Sequence, residues 1–217
     1  MPNRISDRNR RLSAILTAAP VVPVLTIDNR DYAVSLAKAL VAGGLTALEV
    51  TLRTSAALDA IRAIIAEVPG ANVGAGTVTD PSQYKAVEKL GAKFVVSPGA
   101  TPALIAAASE SDVPYLPGVA TAGEAMTLYE QGYQTLKFFP AEQAGGAAYL
   151  KALSAPLPAI RFCPTGGVSA GNAATYLALP NVICVGGSWV APAQAVAAGD
   201  WAAVTALARA AVALKRV

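Results

Sequence analysis

Short apolar runs and longer stretches of helical spacing alternate along most of this chain. The strand-like runs are Val21–Ile27, Ala47–Arg53, Val73–Val78, Phe94–Ser97, Tyr115–Val119, Leu136–Phe139, Arg161–Pro164 and Val182–Val185. They are bounded by glycine, proline or polar breaks, as buried strands are. Between them lie segments rich in alanine and leucine that begin near Arg30, Ser55, Pro81, Thr101, Ala122, Gly145, Ser169 and Asp200. Asp80-Pro81 and Thr101-Pro102 each put a capping side chain before a proline at the first helical position. Ahead of the first strand, Ile5, Leu12, Ile15 and Leu16 recur at helical spacing, and the pattern stops before Pro20. Eight strands alternating with eight helices predict an α/β fold, a (β/α)8 TIM barrel with an additional N-terminal helix. The expected domain is single and spans residues 1–217, with a basic N-terminal arm at 1–11 and the barrel at 12–217. An open doubly wound sheet is the competing architecture. It usually carries a glycine fingerprint after its first strand, and the segment 25–30 has none.

The same pattern assigns faces. In the second strand, alternation puts Leu48, Val50 and Leu52 on one side and Glu49, Thr51 and Arg53 on the other. Helices cover the outside of a barrel, so the aliphatic side points outward and the polar set inward. An acid and an arginine near the C-terminal end of a barrel strand stand where such barrels keep their active sites. A structural Glu49–Arg53 ion pair is the bland alternative, since buried charges do pair. In the sixth strand, alternation sends Lys137 and Phe139 inward. An ammonium set among aromatic and apolar residues is costly to bury, and the usual escape is a depressed pKa that leaves a nucleophilic neutral amine. Snorkelling to the rim, or pairing with a carboxylate, would equally account for it.

Composition narrows the chemistry. The 54% hydrophobic content is high, yet glycines, prolines and charges interrupt every apolar run before the roughly 18 residues a membrane span needs. No secretory signal follows the N-terminal arginines, so a cytoplasmic protein is expected. The net charge of +3 sits in residues 1–11, where Arg4, Arg8, Arg10 and Arg11 face one Asp7; the remainder balances. That argues against a nucleic-acid partner, which calls for a basic face over the whole domain. There is no histidine, which removes imidazole triads and histidine metal sites. Cys163 and Cys184 lie in apolar runs without metal-ligand spacing and read as core residues. Neither a metal nor a cofactor is expected, and the work falls to lysine, carboxylate, hydroxyl and backbone groups.

Glycine-containing strand ends complete the expected lumen. Gly74-Ala75-Gly76-Thr77 brings a hydroxyl to the top of the third strand. Pro164-Thr165-Gly166-Gly167 and Gly186-Gly187-Ser188 end the seventh and eighth, where barrels often hold phosphate on backbone N–H groups. Tight turns explain most single Gly-Gly pairs; two at these positions make a stronger signal. Ser97-Pro98-Gly99 and Pro117-Gly118 read as turn and wall.

These segments, with Lys137-Phe138-Phe139-Pro140-Ala141-Glu142 and Gly186-Gly187-Ser188-Trp189, resemble the 2-keto-3-deoxy-6-phosphogluconate (KDPG) aldolases from about Leu12 to the C-terminus. These are class I enzymes, and several also act as 4-hydroxy-2-oxoglutarate (KHG) aldolases. The resemblance implies a Schiff-base lysine at Lys137 and a proton-transferring carboxylate at Glu49. Arg53 and Thr77 would hold the pyruvate carboxylate, and Phe139 and Pro98 would line the pocket. Thr165, Gly166, Gly167, Gly187 and Ser188 would hold the phosphate. A metal-free homotrimer acting on a phosphorylated keto-deoxy sugar acid is also implied. Ala120-Thr121 stands where Ser-Thr is more frequent. Within this chemistry the rivals are an aldolase for the galactonate epimer and one for unphosphorylated acids. A barrel that merely binds an anionic metabolite would have no need of a lysine between aromatics.

Overall fold

Strands and helices alternate through residues 2–215, the part that the computed structural model describes. Met1 of the expected arm and residues 216–217 of the expected domain lie outside the described residues. The strands are β1 (Val21–Leu25), β2 (Ala47–Thr51), β3 (Asn72–Gly76), β4 (Phe94–Val96), β5 (Tyr115–Leu116), β6 (Gly118–Val119), β7 (Thr135–Phe138), β8 (Arg161–Pro164) and β9 (Val185–Gly187). Six form one parallel sheet in the order β5-β4-β3-β2-β1-β9, and three form another in the order β6-β7-β8. Parallel bridges Phe162↔Val182 and Thr165↔Gly186 join β8 to the segment around β9. The architecture is an α/β fold with its parallel sheet curled into a half-barrel.

The helices are α1 (Pro2–Leu16), α2 (Ala33–Ala42), α3 (Ala57–Glu67), α4 (Pro81–Lys89), α5 (Pro102–Glu110), α6 (Ala122–Glu130), α7 (Gly146–Leu153), α8 (Ala173–Leu177), α9 (Ala193–Ala197) and α10 (Trp201–Val212). Two starts are fixed as the sequence leads one to expect: Asp80 accepts from the N–H groups of Ser82 and Gln83, and Thr101 accepts from that of Leu104. Thr121 and Glu124 close a reciprocal capping box at the start of α6. Among the described residues no helix is long and apolar enough to cross a membrane.

Alternation along the strands divides the apolar residues into two cores. Leu48 and Val50 of β2, Val95 of β4 and Phe162 of β8 join the large cluster between sheet and helices. Val22, Ala47, Phe94, Val96, Leu116, Cys163 and Cys184 form a second, interior cluster. Leu12 and Leu16 of α1, one turn apart, pack into that interior cluster. Burying each stabilises the fold by about 1.5–3 kcal/mol.

The basic segment expected as an arm is the first part of α1. Buried Arg8 donates through Nη1 to the carbonyls of Ala108 and Ser111, the latter at 2.6 Å. Arg4 Nε reaches Asp112 Oδ1 at 2.8 Å, and Arg11 Nη2 reaches the Asp112 carbonyl at 2.6 Å. These guanidinium groups sit at the C-terminal end of α5, where unpaired carbonyls and the helix dipole favour cations.

Other departures are local. The expected fifth strand is split into β5 and β6 by Pro117, which has no N–H for a ladder. The expected Val182–Val185 strand forms instead over Val185–Gly187, and Val182 keeps only its isolated bridge. The short α9 has no counterpart among the sequence-based elements.

Candidate active site

Lys137 and Glu49 meet across the interior from strands that are not neighbours. Lys137 Nζ donates to Glu49 Oε1 at 3.2 Å, and both side chains are only 3% exposed. In register, Glu49 stands between Val24 and Gly74, and Lys137 between Gly118 and Cys163. Gly76 makes room for Glu49, because a Cβ there would overlap its Oε1. Phe139 follows β7, half-buried, with its ring centroid 5.2 Å from Lys137 Nζ, a cation–π approach.

Of the polar set expected to face inward on the second strand, Glu49 and Thr51 do so. Thr51 is buried and its Oγ1 donates to the Leu25 carbonyl at 3.0 Å. β2 ends at Thr51, so Arg53 stands beyond it, exposed at the mouth. It does not pair with Glu49. Its Nε donates to Thr77 Oγ1 at 3.1 Å, and no carboxylate among the described residues lies within ion-pair distance of it. Thr77 holds a φ of +56°, a left-handed conformation that β-branched residues rarely adopt and that collects at functional sites.

Thr165 is buried at the end of β8 and packs on Gly186, where a Cβ would overlap its hydroxyl. The ends of these two strands therefore meet. Gly187 carries the Trp189 ring against its backbone. Exposed Ser188 lines a cavity of about 500 Å³ together with Thr26, Asp28, Tyr32 and Trp189. Lys137 and Glu49 are not among its lining residues. Pro98 is a half-buried wall residue, and its carbonyl stands where a Cβ on Gly118 would fall. No group of three or more Cys, Asp or Glu side chains among the described residues is arranged to hold a metal.

The arrangement offers a buried primary amine, a carboxylate within proton-transfer distance, and an exposed arginine with a threonine hydroxyl at the rim. It suits imine formation with a keto acid whose carboxylate is held at the mouth. The hydroxyl of Thr26, 3.2 Å from that of Thr51, also belongs to this end and stands out in no sequence pattern. Glu142 was visible in the sequence without a role; its carboxylate meets the Tyr176 hydroxyl beside Gly167.

A family model described as KDPG and KHG aldolase matches residues 12–207. The chain is 52% identical over 207 residues to the 2-dehydro-3-deoxy-phosphogluconate aldolase of Pseudomonas aeruginosa, across 95% of this chain and 94% of the relative. To the KHG/KDPG aldolase of Escherichia coli K12 it is 52% identical over 207 residues, across 94% and 97% of the two. A Legionella pneumophila KDPG aldolase, solved with pyruvate captured at low pH as a covalent carbinolamine intermediate, superposes with a TM-score of 0.91 at 45% identity, covering 93% of this chain and 98% of that one. The Zymomonas mobilis enzyme, solved with 3-phosphoglycerate, gives a TM-score of 0.90 at 47% identity, covering 96% and 98%.

Proposed function

The chain belongs to the KDPG and KHG aldolase family, and from that premise we propose how it works. It is a class I, Schiff-base aldolase that cleaves 2-keto-3-deoxy-6-phosphogluconate reversibly to pyruvate and glyceraldehyde 3-phosphate. Cleavage of 4-hydroxy-2-oxoglutarate to pyruvate and glyoxylate is a minor second activity. The observation that carries this reading is the buried contact of Lys137 Nζ with Glu49 Oε1.

A ketone is a poor sink for the electrons released when the C3–C4 bond breaks. Lys137 corrects this by adding to C2. Its proton passes to Glu49, the free amine attacks the carbonyl, and Glu49 returns the proton to the carbinolamine hydroxyl, which leaves as water to give a protonated imine and a free carboxylate. Glu49, directly or through a water, then takes the C4 hydroxyl proton as the bond electrons move into the imine. The aldehyde leaves, a proton returned to C3 of the enamine makes the pyruvate methyl group, and hydrolysis frees Lys137. Arg53 and Thr77 hold the keto-acid carboxylate, and their mutual hydrogen bond at 3.1 Å supports that pairing. Phe139 and Pro98 wall the pocket. Thr165, Gly166, Gly167, Gly187 and Ser188 take the phosphate.

Three further elements complete the reading. Residues 1–217 form one domain, a closed (β/α)8 barrel in which β5 and β6 are two halves of one strand; the bridges between β8 and the β9 segment support closure. α1 is an addition to the barrel. The protein is a cytoplasmic homotrimer, which sedimentation velocity on the purified chain checks. The substrate assignment is tested by comparing cleavage of the phosphorylated substrate with its dephosphorylated analogue. The reading expects at least about a hundredfold lower kcat/KM without the phosphate, a difference of roughly 2.7 kcal/mol. Equal efficiencies would remove the phosphate site.

A further inference from the structure

The loop Thr165–Gly167 has its three carbonyls engaged, and the Thr165 N–H donates to the Phe138 carbonyl at 2.9 Å. Ala141 N–H donates to the Thr165 carbonyl at 2.8 Å, and Glu142 N–H donates to the Gly166 carbonyl at 3.1 Å. The Gly167 carbonyl accepts from Asn172 Nδ2 at 3.1 Å. In contrast, the N–H groups of Gly166 and Gly167 donate to no acceptor among the described residues. Both glycines have left-handed φ values, +100° and +76°, so the loop depends on backbone that a side chain would strain.

Its surroundings come largely from one short element. Asn172, directly before α8, holds Gly167 with Nδ2 while its Oδ1 accepts from Ser169 N–H at 2.8 Å, which fixes the orientation of the amide. Tyr176, buried within α8, donates its hydroxyl to Glu142. Glu142 in turn packs on the loop, because a Cβ at Gly167 would overlap its Cβ and Cγ. Burial and the Glu142 carboxylate both push the Tyr176 phenol well above its ordinary value, so it remains a donor.

We propose that Asn172 and the Tyr176–Glu142 pair are positioning residues for phosphate recognition: they hold the Thr165–Gly167 loop with its two glycine N–H groups presented to the anion. The proposal rests on the phosphate reading of this loop given above. None of the three side chains needs to touch the phosphate. They act by removing the loop's freedom to turn its carbonyls toward the ligand, which would replace donors with acceptors facing an anion.

The test uses the full chain in the condensation direction, with pyruvate and either glyceraldehyde 3-phosphate or unphosphorylated glyceraldehyde. Deuterium exchange of the pyruvate methyl group is followed in parallel as a readout of the pyruvate end of the site, which lies apart from the phosphate loop. Asn172→Asp keeps the acceptor for Ser169 but sets a carboxylate oxygen against the Gly167 carbonyl. Tyr176→Phe keeps the buried ring and removes the hydroxyl. Each should raise KM for the phosphorylated aldehyde about tenfold, in line with loss of one hydrogen bond to or near a charge. KM for glyceraldehyde and the exchange rate should stay within about twofold. Glu142→Gln, which still offers Tyr176 an acceptor, should stay near wild type. Because Asn172 is half-buried, its variant reports even if Tyr176→Phe impairs folding. The proposal fails if both variants keep the wild-type KM for glyceraldehyde 3-phosphate while Ser188→Ala raises it. It also fails if exchange slows in step with the rise in KM, the mark of a generally loosened barrel. If Ser188→Ala changes nothing either, the phosphate reading itself falls.

Discussion

Lys137 and Glu49 are eighty-eight positions apart, and only strand alternation brings them to one point. Alternation was readable in both strands, so the inward direction of each was legible. Their contact was not, because nothing in a sequence says how far a sheet curls. Arg53 shows the complementary limit. Its parity pointed inward, but β2 stops two residues earlier, and beyond a strand end parity no longer fixes direction. The positive φ of Thr77 was hidden too, since threonine signals no left-handed turn. At this scale Glu49→Gln isolates proton transfer, because it keeps the shape and an acceptor for Lys137 but cannot take a proton. Turnover should fall on the order of 100- to 10,000-fold while pyruvate affinity changes little. Steady-state kinetics with an independent pyruvate titration would expose the error if turnover stayed at the wild-type level.

At the scale of elements, start signals read well and stops read poorly. Asp80 and Thr101 cap where their side chains say they should, because a cap is a local bond between residues two or three apart. α9 escaped notice because five residues carry too little periodicity to register. α1 is the more instructive case. Its arginines read from the sequence as a basic arm outside the barrel, but the carbonyls that Arg8 engages lie a hundred residues downstream. Arg8→Met should therefore destabilise the fold by about 1–3 kcal/mol, because it removes the side-chain donor to the Ala108 and Ser111 carbonyls. Exposed Arg10→Met should cost less than about 0.5 kcal/mol. Urea unfolding of the two variants decides the point, and equal midpoints would mean that the Arg8 contacts add nothing to the hold on α1.

Across the whole molecule, burial shapes the response to pH. Tyr84 and Tyr115 meet edge to face at 5.7 Å, and Tyr115 and Tyr133 at 5.8 Å, next to buried Arg8. Burial raises all three phenols above the ordinary value of 10.0. Above that pH an unfolded chain has released these protons and the folded chain has not. The folded state then binds more protons, so stability must fall as pH rises. Thermal melts should show Tm declining from about pH 10 upward, and Tyr84→Phe should show a shallower decline. An identical slope in that variant would contradict the assignment. The inner cluster was legible only as apolar strand residues; that it is a separate core follows from curling the sheet around it.

The account stands on Lys137 as the nucleophile, and covalent capture tests that most directly. After incubation with pyruvate and borohydride, intact-mass spectrometry of the wild-type chain should show one reduced pyruvate adduct, and peptide fragmentation should place it on Lys137. Folded Lys137→Met should show none. An adduct that persists on that variant, or a wild-type chain that takes up no pyruvate, would contradict the account.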